Sequence, residues 1–371
     1  MMRVLVTGAN GFIGKNLTLR LGELPGFEVS RFDRSDAPAA LQGKVAGADA
    51  VVHLAGINRP RDATEYTTDN SNLTQVLCAA IQATGRLIPV LVASSIQAGS
   101  DSPYGQSKRC AEQSVTRLSL ETGNPAVIYR LPNVFGKWCK PNYNSVVATF
   151  CHNIAKDLPI QINDPSSTLN LVYIDDVLEA IVDTLRNPSP GLRWGDVQPV
   201  YGITLGDLAG QIAAFKTCRT SLLSERVGQG LVRALYATYV SYLPPARFAY
   251  GLTRHGDERG VFVEMLKTAD SGQFSFFTAH PGVTRGGHYH HTKTEKFLVI
   301  KGFARFGFRH VLTNETCELR IHGDESKVVE TVPGWTHDIT NIGNDEMVVM
   351  LWANEIFDRE KPDTIAMKVK P

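Results

Sequence analysis

The chain has 371 residues, of which 43% are hydrophobic, and its 38 basic residues nearly balance 37 acidic ones. That length exceeds what one hydrophobic core usually serves and favours two domains, while the balanced charge excludes a general attraction to nucleic acid or anionic lipid. With no uncharged apolar run of ~18 residues, no signal-peptide core after Met1 and six scattered cysteines without CxxC spacing, the expectation is a cytoplasmic protein with reduced thiols and no membrane partner.

From Arg3 to about Leu192, short apolar runs alternate with helical patterns, the signature of βαβ units and a parallel sheet. The first run, Val4 to Thr7, ends in Thr7-Gly8-Ala9-Asn10-Gly11-Phe12-Ile13-Gly14, and an amphipathic helix follows at once. Glycines in a strand-to-helix turn suit a dinucleotide: Gly8 for the tight turn, Gly11 for close approach to the pyrophosphate, Gly14 for helix–strand packing. The second run, Phe27 to Phe32, ends at Asp33-Arg34. Asp33 could bind a free ribose 2′-hydroxyl, as in NAD, whereas Arg34 or Arg31 could pair with the 2′-phosphate of NADP; NADP(H) is the expected cofactor.

Further runs at 50 to 56 and 88 to 95 flank a helical pattern from Leu73, and the latter closes on Ser94-Ser95. Tyr104-Gly105-Gln106-Ser107-Lys108 then opens another helix, in which residues four apart share a face. A lysine ammonium beside a phenol, whose ordinary pKa is ~10, favours the phenolate and suits Tyr104 to acid/base work on a carbonyl, with Ser95 orienting the oxygen. Thr204 to Leu208 has the look of a capped helix start within an otherwise unassignable stretch from 195 to 243. Residues 244–251, beginning Pro244-Pro245, form the expected linker between a domain over 1–243 and one over 252–371.

Past that point β-branched and aromatic residues alternate with polar ones, so the second domain is expected to be all β. On a strand, His288 and His290 would project to one face, with His291 on the other; Glu295 follows, and His337 can return a third imidazole from a neighbouring strand. Three imidazoles and a carboxylate suit one divalent ion, of zinc, iron, manganese or nickel, with zinc the leading expectation. Lys296 is a candidate base by position, although an exposed strand lysine is the commoner explanation.

Several strings carry a family resemblance. TGANGFIG at 7 to 14, HLAG at 53 to 56, Asn70, the serines at 94 to 95, YGQSK at 104 to 108, RLPNVFG at 130 to 136 and YIDDV at 173 to 177 resemble an extended short-chain dehydrogenase/reductase. The resemblance implies a Rossmann-type doubly wound α/β domain, catalysis by Ser95, Tyr104 and Lys108, and cofactor contacts that add Phe12, Ile13, Leu54, Ala55, Gly56 and Lys108 to the glycines. One departure is visible: only eight residues separate Ser95 from Tyr104, which leaves the choice between the two serines open. The second half resembles a jelly-roll cupin, since Gly282, His288, His290, Glu295 and Gly302 meet the first cupin motif and Gly334, His337 and Asn341 most of the second. Asp257 to Glu264 and Arg285 to His288 also resemble deoxysugar 3,5-epimerase cupins, in which the histidine is a base; His288 can be ligand or base, not both, and the ligand role is favoured by the completed set.

The whole chain resembles the reductase–cupin fusions of capsule and O-antigen synthesis in the UDP-N-acetyl-L-fucosamine pathway, on strings such as FGKWCKPNYNSVVATF, YLPP, HYHHTKTEKFLV and WANEIFD. That likeness implies a UDP-linked 4-keto deoxy amino sugar as substrate, inverted at C3 by the cupin and reduced at C4 with NADPH, in a homodimer joined through the cupin. Two other readings remain: a nucleotide-sugar epimerase or dehydratase whose cupin only dimerises it, and a dinucleotide-sensing scaffold without catalysis.

Overall fold

A computed structural model describes residues 1–57, 71–257, 260–263, 266–268, 272–355 and 360–370. Asn70, Glu258, Arg259, Glu264 and the end of the WANEIFD string therefore lie outside the described residues. By contacts the chain forms two compact units, Met1–Phe135 with Tyr143–Ser145 and Leu169–Gly202, and Gly136–Asn142 with Val146–Thr168 and Ile203–Pro371.

The first unit alternates strand and helix: β1 (Met2–Thr7), α1 (Phe12–Glu23), β2 (Phe27–Phe32), α2 (Ala40–Ala46), β3 (Ala50–His53), α3 (Leu73–Ala83), β4 (Val90–Ser95), α4 (Pro103–Thr122), β5 (Ala126–Leu131) and β6 (Asn133–Phe135). After α5 (Val146–Ala155), which belongs to the second unit, come β7 (Thr168–Tyr173), α6 (Ile174–Arg186), β8 (Leu192–Gly195) and β9 (Tyr201–Thr204). The main sheet has the order β2-β1-β3-β4-β5-β8, with every pair parallel. Val4, Leu5, Val6, Val51 and Val90 have no exposed surface, as expected of parallel strands covered on both faces. Strand order reverses about β1 and β3, so the carboxyl ends of these two strands open the crevice where such sheets bind ligands. Helix α4 is framed by local chemistry: the Ser102 hydroxyl accepts from Gly105 N–H, Pro103 takes the first turn, and Gly123 closes the helix at φ 77°.

The second unit contains α7 (Leu205–Ser221), β10 (Leu223–Ser224), α8 (Gly230–Val240) and then strands alone: β11 (Ala249–Gly251), β12 (Arg254–Asp257), β13 (Gly260–Val263), β14 (Lys267–Thr268), β15 (Gln273–Ala279), β16 (Thr284–Tyr289), β17 (Glu295–Lys301), β18 (Phe303–His310), β19 (Thr316–His322), β20 (Lys327–Glu330), β21 (Trp335–Asn341), β22 (Met347–Ala353) and β23 (Ile365–Ala366). The anticipated cap is present, Thr204 Oγ1 accepting from Asp207 N–H at 3.1 Å. Two five-stranded antiparallel sheets, β11-β20-β17-β22-β15 and β19-β18-β21-β16-β23, give the all-β architecture expected of this half. Their inner faces meet through rings such as Phe297 and Phe306, 5.8 Å apart. Residues 244–251 hold a short 3-10 turn and β11, and Phe248 within them is fully buried against Phe308 and Trp335 at 5.4 and 5.1 Å.

Candidate functional site

The glycine turn sits at the mouth of the crevice. Gly8 adopts φ +68°, and a Cβ there would stand 2.7 Å from Ala55 Cα; one on Gly14 would stand 2.1 Å from Gly8 O. The turn, the start of α1 and the Leu54-Ala55 segment are thus pressed together in a way only glycine permits. Gly11 caps α1, which begins at Phe12 and includes Ile13, without a side-chain cap, and such a helix start is suited to an anion. Asp33 braces this turn: both carboxylate oxygens accept from Asn10 N–H, at 3.1 and 3.0 Å, while Arg34 is exposed. Gly56 is exposed beyond the end of β3.

Beneath the crevice lies a group that sequence reasoning left without a role. The His53 ring is buried between Thr7 Oγ1, 2.7 Å from Nδ1, and Thr74 Oγ1, 2.9 Å from Nε2. Burial, with Lys108 nearby, pushes it down to about 3, so it is a neutral cross-tie between β1, β3 and α3.

Tyr104 occupies the first turn of α4 and Lys108 the next, with the ammonium 5.9 Å from the phenol ring centroid. Lys108 Nζ donates to Ala93 O at 3.2 Å. Burial pushes this lysine down to about 8, against the opposing pull of Glu112. The short span from Ser95 to Tyr104 is taken up by one 3-10 turn over Ile96–Gly99, onto which α4 packs so tightly that a Cβ on Gly105 would lie 2.3 Å from Gln97 O. The two serines are distinct. Ser94 is buried and its hydroxyl donates to Glu112 Oε1 at 2.6 Å, whereas Ser95 accepts from Gln97 N–H at 3.1 Å and no acceptor among the described residues takes its own proton. Ser95 is therefore the serine equipped to donate to a carbonyl oxygen.

Glu112 itself was not singled out by sequence. It is buried, gripped by Arg130 through Nε at 2.9 Å and Nη2 at 2.7 Å, and stands one further turn along the Tyr104–Lys108 face. The signal was available in that spacing and in the arginine of RLPN.

In the second unit, ligand atoms of His288, His290, Glu295 and His337 all lie within 4.8 Å of one another. A bulge makes this possible: Gly286 and Gly287 have φ +98° and +76°, and the register shift they introduce sets His288 opposite His337. A side chain on Gly286 would meet His337 O at 2.9 Å. β16 ends at Tyr289, so His290 and His291 stand in the turn that follows and not on alternating strand faces. His290 Nε2 and His337 Nε2 approach Glu295 Oε2 to 3.2 and 3.5 Å, and both His337 nitrogens are buried without a hydrogen-bond partner among the described residues. Burial and the neighbouring imidazoles push His288 down to about 3. Burial would raise the Glu295 carboxyl, but the His290 and His337 rings hold it well below the usual range. Burial likewise lowers His337, and depressed imidazoles beside an ionised carboxylate, with the His337 nitrogens left unpaired among the described residues, are the donor set that could hold a divalent ion.

Lys296 is neither an exposed strand lysine nor placed as a base. Neighbouring residues of a strand face opposite ways, so Lys296 points away from Glu295 and is fully buried, paired with Glu330 and 3.2 Å from the Tyr250 hydroxyl. Tyr236 of α8 donates to the same carboxylate at 2.7 Å, and Arg219 of α7 lies 3.5 Å from it.

A glycine turn at a parallel-sheet switch point, together with a Tyr–Lys pair at the start of α4, defines a class, and the comparisons agree. Residues 4–197 match the NAD dependent epimerase/dehydratase family and residues 255–365 the polysaccharide biosynthesis C-terminal domain; the chain belongs to the former family. More particularly, it is 57% identical over 368 residues, 99% of each chain, to a UDP-2-acetamido-2,6-beta-L-arabino-hexul-4-ose reductase of Pseudomonas aeruginosa. The capsular polysaccharide assembling protein CapF of Staphylococcus aureus superimposes with a TM-score of 0.68 at 40% identity, over 99% of this chain and 100% of that one. The expected kinship with the reductase fusions of capsule synthesis is thereby borne out along the full length. A UDP-glucuronic acid 4-epimerase from Bacillus cereus, solved with NAD, shares the fold alone, at 22% identity and a TM-score of 0.51 over 58% of this chain and 84% of that one. No helix among the described residues is long and apolar enough to cross a membrane.

Proposed function

We propose that the chain inverts C3 of a UDP-2-acetamido-2,6-dideoxy-4-hexulose in its cupin half and reduces the C4 ketone with NADPH in its Rossmann half, giving a UDP-N-acetyl-6-deoxy-talosamine-type product. The observation that carries this reading is the presence, in one chain, of a Tyr104–Lys108 pair behind a dinucleotide turn and a three-histidine, one-carboxylate cluster. The full-length similarity to a protein named as a 4-ketosugar reductase supports the same substrate class.

In the reduction, Ser95 orients the C4 oxygen by donating its hydroxyl proton, and Tyr104 delivers the proton that completes the alcohol. Lys108, anchored on Ala93 O, lends positive charge to the phenol oxygen as that proton departs. Bound NADPH supplies the hydride. The exposed Arg34 and Arg31 beside the end of β2 are the groups that would meet a 2′-phosphate, which is the basis for proposing NADP(H). In the epimerisation, the C4 ketone acidifies the C3 proton by delocalising the carbanion as an enolate. His288, His290, Glu295 and His337 would hold a divalent ion, zinc foremost, whose charge would stabilise oxygen anions of this kind. The active form in this proposal is a cytoplasmic homodimer joined through the cupin half.

The test is one NMR experiment on the sugar product made in deuterated solvent with deuteride-labelled NADPH. Solvent deuterium at C3 together with cofactor deuterium at C4 is expected; a product labelled at C4 with its original C3 proton would overturn the epimerase assignment.

A further inference from the structure

We propose that Asp363 is the positioning residue of the histidine cluster, holding the turn after β16 and the tautomer of His290 so that the ligating atoms converge before any ion arrives. The inference rests on reading that cluster as a cation site. Asp363 is about seventy residues away in sequence from the turn it organises. Its Oδ1 accepts from His291 N–H at 2.8 Å, and its Oδ2 from Thr292 N–H at 2.6 Å, Lys293 N–H at 2.7 Å and the Thr292 hydroxyl at 3.0 Å. Three consecutive amides thus converge on one carboxylate, each bond strengthened by its charge. The backbone of the same residue does a second job: Asp363 O lies against His290 Nδ1. A carbonyl can only accept, so Nδ1 is the nitrogen that donates to it, and Nε2 is the nitrogen turned towards Glu295 Oε2, 3.2 Å away. With Nδ1 committed to the backbone, Nε2 is the nitrogen left to face the cluster, which is the orientation a ligating imidazole needs.

The residues after Asp363 extend the same brace. β23 pairs with β16, placing Ala366 beside His288 and Ile365 beside Tyr289, and Met367 N–H donates to Gly287 O within the bulge at 2.8 Å. The hydroxyl of Thr336, which precedes His337, donates to Met367 O. One strip of chain therefore touches His290 directly and the backbone surroundings of His288 and His337.

The experiment compares the full-length protein with Asp363→Asn, whose side chain offers one acceptor oxygen where the carboxylate offers two. Zinc affinity is measured by competition with a chromophoric chelator, imidazole tautomers by nitrogen NMR of metal-free protein labelled at histidine, and thermal midpoints in chelator. The expected result is zinc affinity lower by about 10–100-fold, the range for loss of an outer partner, with loss of the single Nδ1–H form of His290. Unchanged affinity and an unchanged His290 tautomer would overturn the proposal. A fall in the metal-free melting temperature with zinc affinity intact would likewise overturn it, by assigning Asp363 a merely structural role. If the wild type binds no zinc, the cation reading fails while the tautomer comparison still decides what Asp363 does to His290. Should Asp363→Asn not fold, Thr292→Val removes the hydroxyl's bond to Asp363 together with the one it accepts from Arg233 and keeps the three amide bonds; zinc affinity is expected to fall about threefold, against no change if the brace is irrelevant.

Discussion

Replacing Lys296 by Met tests whether the buried Lys296–Glu330 pair is a structural clamp or this lysine is the proton acceptor at C3. The lysine is fully buried, and its loss leaves Glu330 ionised in a low-dielectric setting. Removing one partner of a buried ion pair costs about 3–5 kcal/mol. Here Tyr236 at 2.7 Å and Arg219 at 3.5 Å still serve the carboxylate, which places the expected loss near the lower end, about 3 kcal/mol. For a unit of this size that corresponds to a fall in Tm of roughly 6–12 °C. The double variant Lys296→Met with Glu330→Met removes both charges and is expected to recover most of the loss. The carboxylate also sets a pH signature. Burial opposes ionisation of Glu330, but Lys296 and Arg219 hold it down at about 2. Its stabilisation is therefore complete above an unfolded glutamate pKa of ~4.3 and disappears as pH falls towards about 2, so a wild type that matches the double variant near neutrality falls below it across that interval. The assays are thermal unfolding by circular dichroism and, well below the midpoint, exchange of the sugar C3 proton with solvent. An unchanged Tm with abolished exchange would refute the clamp and restore Lys296 as the base.

Lys108 is pushed down to about 8 by burial, so its ammonium is lost as pH rises through that value; kcat/KM for reduction should hold to about pH 8 and then fall about tenfold per pH unit, which a pH–rate profile checks. Gly105→Ala places a methyl 2.3 Å from Gln97 O and must displace the turn carrying Tyr104; reduction should fall about 100-fold with C3 exchange retained, measured by NADPH oxidation and NMR. His337→Ala removes one of the four groups proposed to hold the ion and should weaken zinc binding by more than the about 100-fold limit for an outer partner, abolish C3 exchange and leave reduction of a pre-epimerised ketone intact, as calorimetry and NMR would report.

What could be read from the sequence was local. The Gly8–Gly14 turn, β2 with both its ends, the Thr204 cap and the Tyr104–Lys108 pairing each depend on residues within a few positions of one another, where hydrophobic period and cap chemistry act directly. The convergence of His337 on His288 was anticipated from spacing, but the Gly286–Gly287 bulge that sets their register was not, because a bulge is a property of two paired strands. Lys296 was misjudged for the same reason: alternation tells which face a residue takes, not that α7 and α8 cover that face with Arg219 and Tyr236. Asp363 left no trace in any local pattern, since its partners are backbone amides distant along the chain.

The seam formed by Lys296, Glu330, Tyr236 and Arg219 bears on how this enzyme can be taken apart. A fragment stopping at residue 243 would keep two of those four groups and lose the other two, stranding a guanidinium and a phenol that evolved to be dry. Anyone grafting a different reductase onto this β sandwich should let α7 and α8 travel with the sandwich, because inheritance here follows buried charge instead of the prolines that punctuate the linear map.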